Sequence, residues 1–549
     1  MSQTRSARRD TVYPADGHPS LVLGVTIDPR RDKARIIGMN GGFLAPDLYS
    51  WILASPDFIE WRRGKKKRLL WIQGDTGTGK TTQLCGIIND LEKAAPRTVN
   101  NVGFVSFFFC QGTDSRSNNA TAVLRGLIQV LVQQHPSLCK HIYKRRRHSR
   151  AEDSADSSST WTALSDVFSY ILQDQNLRRR GACFVIDALD ECETGMSDLL
   201  DLVVRTTESP HVKWIVASRS PPQTEERLQT ALRRWGTIEL PLQSSPDAVS
   251  ATVGAYVQHT VRELVGRNKY DAVTEAAIRD HLVSTDEAFL WTALVCRGLA
   301  STPQSDALEY LRACPHGLDS LYAHTAQKIE ESGNGEICKR VLALVTAAHG
   351  PITLQELCLF LKGPDDSTES ANVDHRALLA DVVRRCYAFL TLHDGTVYFT
   401  RPSGKVFLLS NLTALDDGAF VTRVHEANST IFSKSLEIMS QTLRRDIYRL
   451  QHLGSAIDQV RKPDPDPLAA VRYSCIYWVD HLLDANKDSE SGDPVYGEHV
   501  VHTFLREKYL YWIEGLSLLR CIPEGVRTME KLEAFLVSIY LPLWRVFTN

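Results

Sequence analysis

The sequence predicts an α/β domain in which helices cover both faces of a parallel sheet, followed by all-α helical regions and a winged-helix-like unit. Three features predict this. Short apolar runs alternate with helix-length segments from about residue 69 to residue 243, strands nearly vanish after residue 245, and a hairpin signal interrupts the helices near residue 394. Alternation of strands and helices is typical of a parallel sheet covered on both sides.

The five predicted strands share a composition rich in β-branched and aromatic residues, and polar or turn residues bound each of them. Buried parallel strands have this composition because both of their faces pack against helices. The segments are RLLWIQG, NVGFVSFFFC, ACFVIDALD, VKWIVASRS and TIELPL. Between them, TAVLRGLIQVLVQQH and TWTALSDVFSYILQ have helix length, whereas 144–160 is charged, serine-rich and aperiodic, which predicts a mobile loop.

The first strand leads into a glycine-rich turn that matches the P-loop pattern, with Gly74 and Gly79 followed by Lys80 and Thr81. Glycines let successive backbone N–H groups point at phosphate oxygens, and the helix that follows adds the positive end of its dipole. Lysine neutralises the β- and γ-phosphates, and the Thr81 hydroxyl is a Mg²⁺ ligand. The pattern therefore predicts a site for ATP or GTP with Mg²⁺. Its predicted nucleotide-binding residues are Gly74, Asp75, Thr76, Gly77, Thr78, Gly79, Lys80, Thr81 and Thr82.

Polar residues follow two other predicted strands at the sheet edge where ligands bind in such folds. Asp187 ends an apolar strand and is predicted to hold the Mg²⁺ together with Thr81. Asp190 or Glu191 would polarise the attacking water, with Glu191 favoured; the alternative is that either one caps the next helix. Arg219 ends a further strand and would sense the γ-phosphate. The alternative for Arg219 is a salt bridge to a neighbouring acid.

The second half of the chain has apolar residues at three- and four-residue spacings, which predicts amphipathic helices. One exception is AFLTLHDGTVYFT, where Asp394-Gly395 separates two alternating runs and predicts a tight hairpin. With the helices before it, this hairpin makes the winged-helix-like unit. The predicted divisions are a disordered N-terminus at 1–20, a lead-in segment at 21–62, the NTPase core at 63–245, a helical domain at 246–345, the winged-helix-like unit at 346–412 and a C-terminal helical domain at 413–549.

Composition sets the broad class of protein. The formal net charge is −2, which argues against a dedicated nucleic-acid binder, and the basic runs near residues 62–68 and 144–147 are interpreted as solvated loops. Twelve cysteines are scattered without CxxC pairs, which favours a reducing compartment. No signal peptide or membrane span is evident. These features predict a soluble, cytoplasmic protein.

At this point several separated motifs resemble the NACHT-type signal-transducing NTPases of fungi (the STAND class), which include heterokaryon-incompatibility proteins, and the core is similar to that of nephrocystin-3-like proteins. VIDALDEC resembles their metal-binding strand, and AFLWTALV, GLDSLYAH and PITLQELCLFL resemble their helical and winged-helix parts. The resemblance implies a winged-helix histidine that touches the β-phosphate of bound ADP. Arg401 stands at that position and is predicted to bind nucleotide in its place; the alternative is that this contact is weakened or absent. Neither an effector domain nor C-terminal repeats are evident in the sequence.

The function that the sequence predicts is a nucleotide-operated switch. A nucleoside triphosphate would be hydrolysed slowly, and its presence would control conformation and association with further copies or with another signalling protein. Two alternatives stay open: a nucleotide-holding scaffold without useful hydrolysis, and a metabolic phosphotransferase.

Overall fold

The fold is described from a computed structural model, and its described residues are 27–39, 44, 46–64, 66–74, 77–95, 102–112, 114, 116–142, 157–219, 237–239, 246–268, 270–284, 289–300, 302–362, 374–410, 419–450, 457, 460–487 and 498–547. The predicted disordered N-terminus and most of the predicted loop at 144–160 lie outside these residues. The end of that loop was predicted wrongly, because a helix begins at Ser157. The aperiodic serine run hides this start, since serines also occupy the first turns of helices.

A five-stranded parallel sheet forms the core, as the sequence predicts. Its strands are β1 (Leu69–Gln73), β2 (Phe104–Phe109), β3 (Ala182–Asp187), β4 (Val212–Ser218) and β5 (Thr237–Glu239), in the spatial order β2-β3-β4-β1-β5. Every residue of β2, β3 and β4 is buried. Since all neighbours are parallel, the carboxyl ends of the strands meet at one edge of the sheet.

Within the described residues, eight α-helices belong to the lead-in and core. They are α1 (Pro29–Met39), α2 (Ser50–Ala54), α3 (Pro56–Arg63), α4 (Lys80–Ala94), α5 (Ala120–Gln134), α6 (Ser157–Leu172), α7 (Gln175–Arg180) and α8 (Met196–Thr207). Alternate strand residues face two apolar clusters, one on each side of the sheet. One cluster contains α5, α6 and α8, and the other continues into the lead-in and the helical half of the chain. The α/β fold class with helices on both faces is therefore confirmed.

The helical half begins with α9 (Pro246–Asn268), α10 (Ala272–Ser284), α11 (Phe289–Leu299), α12 (Gln304–Ala313), α13 (Leu318–Glu331) and α14 (Gly335–Ala347). It ends with α18 (Ala419–Thr442), α19 (Arg472–Asn486), α20 (Glu498–Leu519) and α21 (Ile522–Phe547). Among the helices described, none combines the length and the apolar composition that crossing a bilayer requires.

A small unit, here called the hairpin unit (352–410), lies between these helical groups. It contains β6 (Ile352–Thr353), α15 (Leu354–Leu361), α16 (Asp374–Arg385), β7 (Leu390–His393), β8 (Thr396–Phe399) and α17 (Pro402–Ser410). The tight turn between β7 and β8 has φ +47° at Asp394 and +72° at Gly395, the positive values that the Asp-Gly pair predicts. The divisions between domains stay predictions.

Candidate functional site

The predicted P-loop connects β1 to α4, and its backbone adopts a conformation that requires glycine. Gly77 and Gly79 have φ of +85° and +83°. A Cβ added to Gly79 would lie 3.3 Å from the Phe289 ring, and one added to Gly77 would lie 3.2 Å from Leu290. The Leu290 N–H also donates to the Gly77 carbonyl at 3.3 Å. The start of α11 therefore packs directly on this loop, while Asp75 and Thr76 lie outside the described residues.

The side chains of the loop suit a phosphate chain. Lys80 Nζ donates to the Gly74 carbonyl at 2.5 Å, across the mouth of the loop. The Thr78 hydroxyl is buried and has no hydrogen-bond partner among the described residues. Buried polar atoms normally have partners, so an orphaned hydroxyl between glycines of positive φ indicates a ligand with acceptor oxygens. Thr82 is buried in the first turn of α4. These residues fit the phosphates of a nucleotide.

Asp187 and Thr81, the predicted Mg²⁺ ligands, are adjacent at the carboxyl edge of the sheet. The Thr81 hydroxyl donates to the Asp187 carboxylate, and Lys80 lies close enough to act on it. Burial nevertheless raises the pKa of Asp187 to about 6. Burial makes the charged form of this carboxylate unfavourable. A divalent cation stabilises that form, because the ion supplies a compensating positive charge. The donor set of one carboxylate and one hydroxyl fits Mg²⁺ completed by phosphate and water oxygens.

Asp190 and Glu191 follow in a short turn and have different surroundings. Asp190 binds Arg219 twice: its Oδ1 accepts from the Arg219 N–H at 3.0 Å, and its Oδ2 accepts from Nε at 2.5 Å. The Glu191 Oε2 accepts from the Gly112 N–H at 2.8 Å. Burial raises the pKa of Glu191 to about 7. Glu191 therefore has the pKa of a general base near neutrality, whereas the charge of Asp190 is already compensated.

Arg219 is placed at the same edge of the sheet, as predicted, but its side chain is more than half exposed and bound to Asp190. The salt bridge that the sequence left open as an alternative is therefore present in this conformation. To contact a γ-phosphate, Arg219 would have to give up one or both of its hydrogen bonds to Asp190. Its role as a sensor stays a prediction.

Arg401 faces these groups from the other side of the cleft, immediately before α17. Burial lowers the pKa of Arg401, and Tyr322, Tyr256 and Asp187 are the groups that oppose this shift. Arg401 lines both a cleft of about 970 Å³ and a smaller cavity of about 130 Å³ that contains Thr81, Asp187 and Glu191. The structure therefore brings the residue that replaces the expected histidine to the predicted metal and phosphate groups.

The large cleft has two walls. The core wall is formed by residues 77–81, 112, 118, 187–188, 190–191, 193 and 219, and the facing wall by residues 346–349, 401–403, 405–407, 409–410, 424, 428 and 484. The packing of Phe289 on the P-loop and most of the facing wall were not predicted from the sequence. A stretch such as AFLWTALV signals a helix but not which surface that helix contacts. The lysine and histidine of the facing wall have no recognisable motif around them.

Two comparisons with known proteins give sequence matches. Residues 47–219 match the family described as nephrocystin 3, N-terminal. The chain is 44% identical over 527 residues to the vegetative incompatibility protein HET-E-1 of Podospora anserina, an alignment that covers 93% of this chain and 37% of that protein. The chain thus spans little more than a third of this relative's length.

Similarity to solved structures is weak. The ORC1 protein of Aeropyrum pernix in complex with DNA is 16% identical with a TM-score of 0.30, over 74% of this chain and 98% of that chain. Domain III of the replication initiation protein DnaA from Thermotoga maritima is 12% identical with a TM-score of 0.28, over 49% of this chain and 98% of that chain. The sequence match to HET-E-1 and the match to the nephrocystin 3 family confirm the predicted resemblance: the chain is similar to the fungal NACHT-type P-loop NTPases that include the heterokaryon-incompatibility proteins.

Proposed function

We propose that this chain is a nucleotide-operated switch that binds ATP or GTP with Mg²⁺, hydrolyses it slowly, and changes conformation and self-association with the nucleotide it holds. One observation carries the proposal: a single cleft has a core wall with P-loop geometry and a facing wall from the hairpin unit and the C-terminal helices. A ligand that contacts both walls can bind their closed and open arrangements with different affinity. Such a difference is the requirement for any ligand-driven switch.

Each group of residues has its own role in binding and hydrolysing the nucleotide. The P-loop amides, Thr78 and Lys80 bind the phosphate chain, and Thr81 with Asp187 would hold Mg²⁺, which offsets the charge of the phosphate oxygens. Glu191 accepts a proton from the attacking water. Arg401 binds phosphate from the facing wall. The name of HET-E-1 associates that protein with vegetative incompatibility, and we propose that this chain serves signalling of the same kind.

A scaffold that holds nucleotide without useful hydrolysis is the second candidate function. It is favoured by the two hydrogen bonds between Arg219 and Asp190, because they hold Arg219 away from a γ-phosphate in this conformation. Nucleotide that survives purification as diphosphate, with no turnover after exchange for triphosphate, would support the scaffold.

The experiment that tests the switch is to purify the chain, extract its nucleotide, and measure its mass by light scattering with ADP or GDP and then with a non-hydrolysable triphosphate analogue. A nucleotide-dependent change in mass supports the switch. Two variants test the site assignment. Lys80→Ala removes a predicted contact to the phosphates, and Asp187→Asn removes a predicted contact to the metal. Unchanged nucleotide binding in both variants would reject the site assignment.

A further inference from the structure

Lys405 is a partly buried lysine in the facing wall, one helical turn after Arg401 on α17. Its Nζ donates one hydrogen bond, to the Ala348 carbonyl at 3.2 Å, and lies 5.9 Å from the centre of the Phe399 ring. An ammonium group has three N–H donors, so two are left without a protein acceptor among the described residues. Burial lowers the pKa of Lys405, and the charge of Asp484 opposes this shift. An anionic ligand would stabilise a partly buried cation with so few hydrogen-bond partners.

The surroundings of Lys405 indicate which anion would fit. Lys405 lines the 130 Å³ cavity together with Thr81, Asp187 and Glu191, and it also lines the large cleft that holds Lys80. It therefore borders the same space as the predicted metal ligands, but from the opposite wall. The compact charge of a lysine ammonium suits phosphate oxygens without requiring the planar geometry that an arginine needs.

Residues of the C-terminal helix α19 hold the segment around Ala348, whose carbonyl accepts the hydrogen bond from Lys405. Ala348 precedes His349, whose Nε2 donates to Oδ2 of Asp484 on α19 at 2.9 Å. The His349 N–H donates to the Tyr473 hydroxyl, also on α19, at 3.0 Å. Burial acts to raise the pKa of Asp484, but hydrogen bonds from His349 and Lys487 outweigh it and hold the pKa well below the usual range. The charged Asp484 thereby clamps the segment that carries the Ala348 carbonyl.

We propose that Lys405 is a further phosphate-binding residue of the nucleotide cleft and that the His349–Asp484 pair positions it, so that α19 takes part in holding the nucleotide. The inference rests on the proposed function, because it presumes a nucleotide between the two walls. It adds a direct connection from the bound phosphates to the C-terminal helices, through Lys405, the Ala348 carbonyl and the His349–Asp484 pair. Nucleosides without phosphate would not use this connection.

The test compares Lys405→Met with Lys462→Met by calorimetric titration of the full chain with ADP, GDP, adenosine and guanosine. Lys462 is a matched control because it pairs with Asp466 at 3.0 Å but is 69% exposed and does not line the cleft. We expect Lys405→Met to weaken diphosphate binding about ten- to a hundredfold, as for the loss of a hydrogen bond to a charged group. Nucleoside binding should be unchanged by Lys405→Met, and Lys462→Met should match the wild type for every probe.

Positioning by Asp484 is tested with Asp484→Asn alone and combined with Lys405→Met. If Asp484 acts through Lys405, its substitution weakens diphosphate binding by itself and adds nothing in the double variant. Losses that multiply in the double variant would overturn the positioning role. If Lys405→Met does not fold, Lys405→Gln replaces it in the titrations. Melting temperatures measured without nucleotide show whether each variant is folded.

The failure of this inference is distinguishable from the failure of the proposed function. Wild-type chain that binds diphosphate and loses binding with Lys80→Ala, but is unaffected by Lys405→Met, would overturn only the role of Lys405. Absence of nucleotide uptake by the wild type would instead overturn the proposed function and this inference together.

Discussion

The two walls of the cleft differ in how the chain builds them. The phosphate-binding part of the core wall comes from neighbouring elements of the chain, the strand β1, the P-loop and the helix α4. The facing wall combines Arg401 and, on α17, Lys405 with His349 and with Asp484 of α19, so its parts are far apart in the chain. A wall made by local backbone geometry persists whenever the core is folded. A wall assembled from separate helices can be withdrawn, which is what a switch requires.

The two walls also differ in their electrostatics. Lys80 on the core wall is bonded to the Gly74 carbonyl and lies near Asp187. On the facing wall, burial lowers the pKa of both Arg401 and Lys405. A bound polyanion would relieve this cost, because it favours the charged forms of both residues. We therefore expect the core wall to determine whether nucleotide binds and the facing wall to determine which arrangement binds it.

The largest expected effect on nucleotide affinity is that of Lys80→Ala on the core wall. Loss of this charge removes charge-assisted hydrogen bonds to the phosphates, and nucleotide affinity should fall about a hundredfold or more. Calorimetry with ADP and GDP measures the change. Lys93→Ala, at an exposed position in the last turn of the same helix, is the control and should bind like the wild type. Equal nucleotide affinities in the two variants would show that Lys80 of the P-loop does not bind the phosphates.

The next effect concerns turnover rather than binding. Because burial raises the pKa of Glu191 to about 7, its carboxylate is mostly protonated below that pH and ionised above it. A base with this pKa gives a hydrolysis rate that rises about tenfold per pH unit below about 7 and levels off above it. Glu191→Gln should abolish this dependence and lower turnover about 10²- to 10⁴-fold.

Asp190→Asn provides the contrast for Glu191. It removes the partner of Arg219 and should alter turnover far less than Glu191→Gln. Single-turnover hydrolysis assays across pH 5.5 to about 8.5 measure both variants. The assignment of the base fails if Asp190→Asn, and not Glu191→Gln, removes the dependence on pH.

A smaller change in affinity is expected from Arg401→Ala on the facing wall. Loss of this guanidinium removes one phosphate contact and should weaken diphosphate binding about tenfold, within the range for one charge-assisted hydrogen bond. Arg384→Ala, also in the hairpin unit but 65% exposed, is the control. An Arg401→Ala chain with wild-type affinity for both ADP and GDP would show that the facing wall does not contact the phosphates.

The two walls also differ in how far the sequence predicts them. The strands, the P-loop and the adjacency of Thr81 and Asp187 were predictable, because local apolar patterns locate strands and parallel strands end at one edge. The salt bridge between Asp190 and Arg219 stayed an open alternative, since both follow strands at that edge.

The facing wall could not be predicted in the same way. Lys405, His349 and Asp484 meet through tertiary packing of segments separated by more than a helix length, and no local spacing encodes such contacts. Arg401 was found only because a family pattern marked its position. The helix that begins at Ser157 was missed for a different reason, because its first turn has the composition of a loop.

The smallest expected effect lies outside the cleft, at the start of α15. The Thr353 hydroxyl accepts from the Glu356 N–H at 3.2 Å, and Glu356 accepts from the Thr353 N–H at 3.0 Å, which together form a capping box. Thr353→Ala should lower the free energy of unfolding by about 1 kcal/mol, and Thr353→Ser should retain the cap. Denaturant unfolding measures the change. Nucleotide affinity should be equal in the two variants, since neither residue lines the cleft.

The central claim is that the occupant of the cleft determines how the facing wall lies against the core wall. Pulsed electron resonance can measure this distance between spin labels at Asp201→Cys on α8 and Ser433→Cys on α18, both exposed positions. Native cysteines among the described residues are buried except Cys139, which is partly exposed and would be replaced by serine. The account predicts one short distance with a nucleoside diphosphate and a second, longer distance with a non-hydrolysable triphosphate analogue. Identical distance distributions with both nucleotides bound would contradict it.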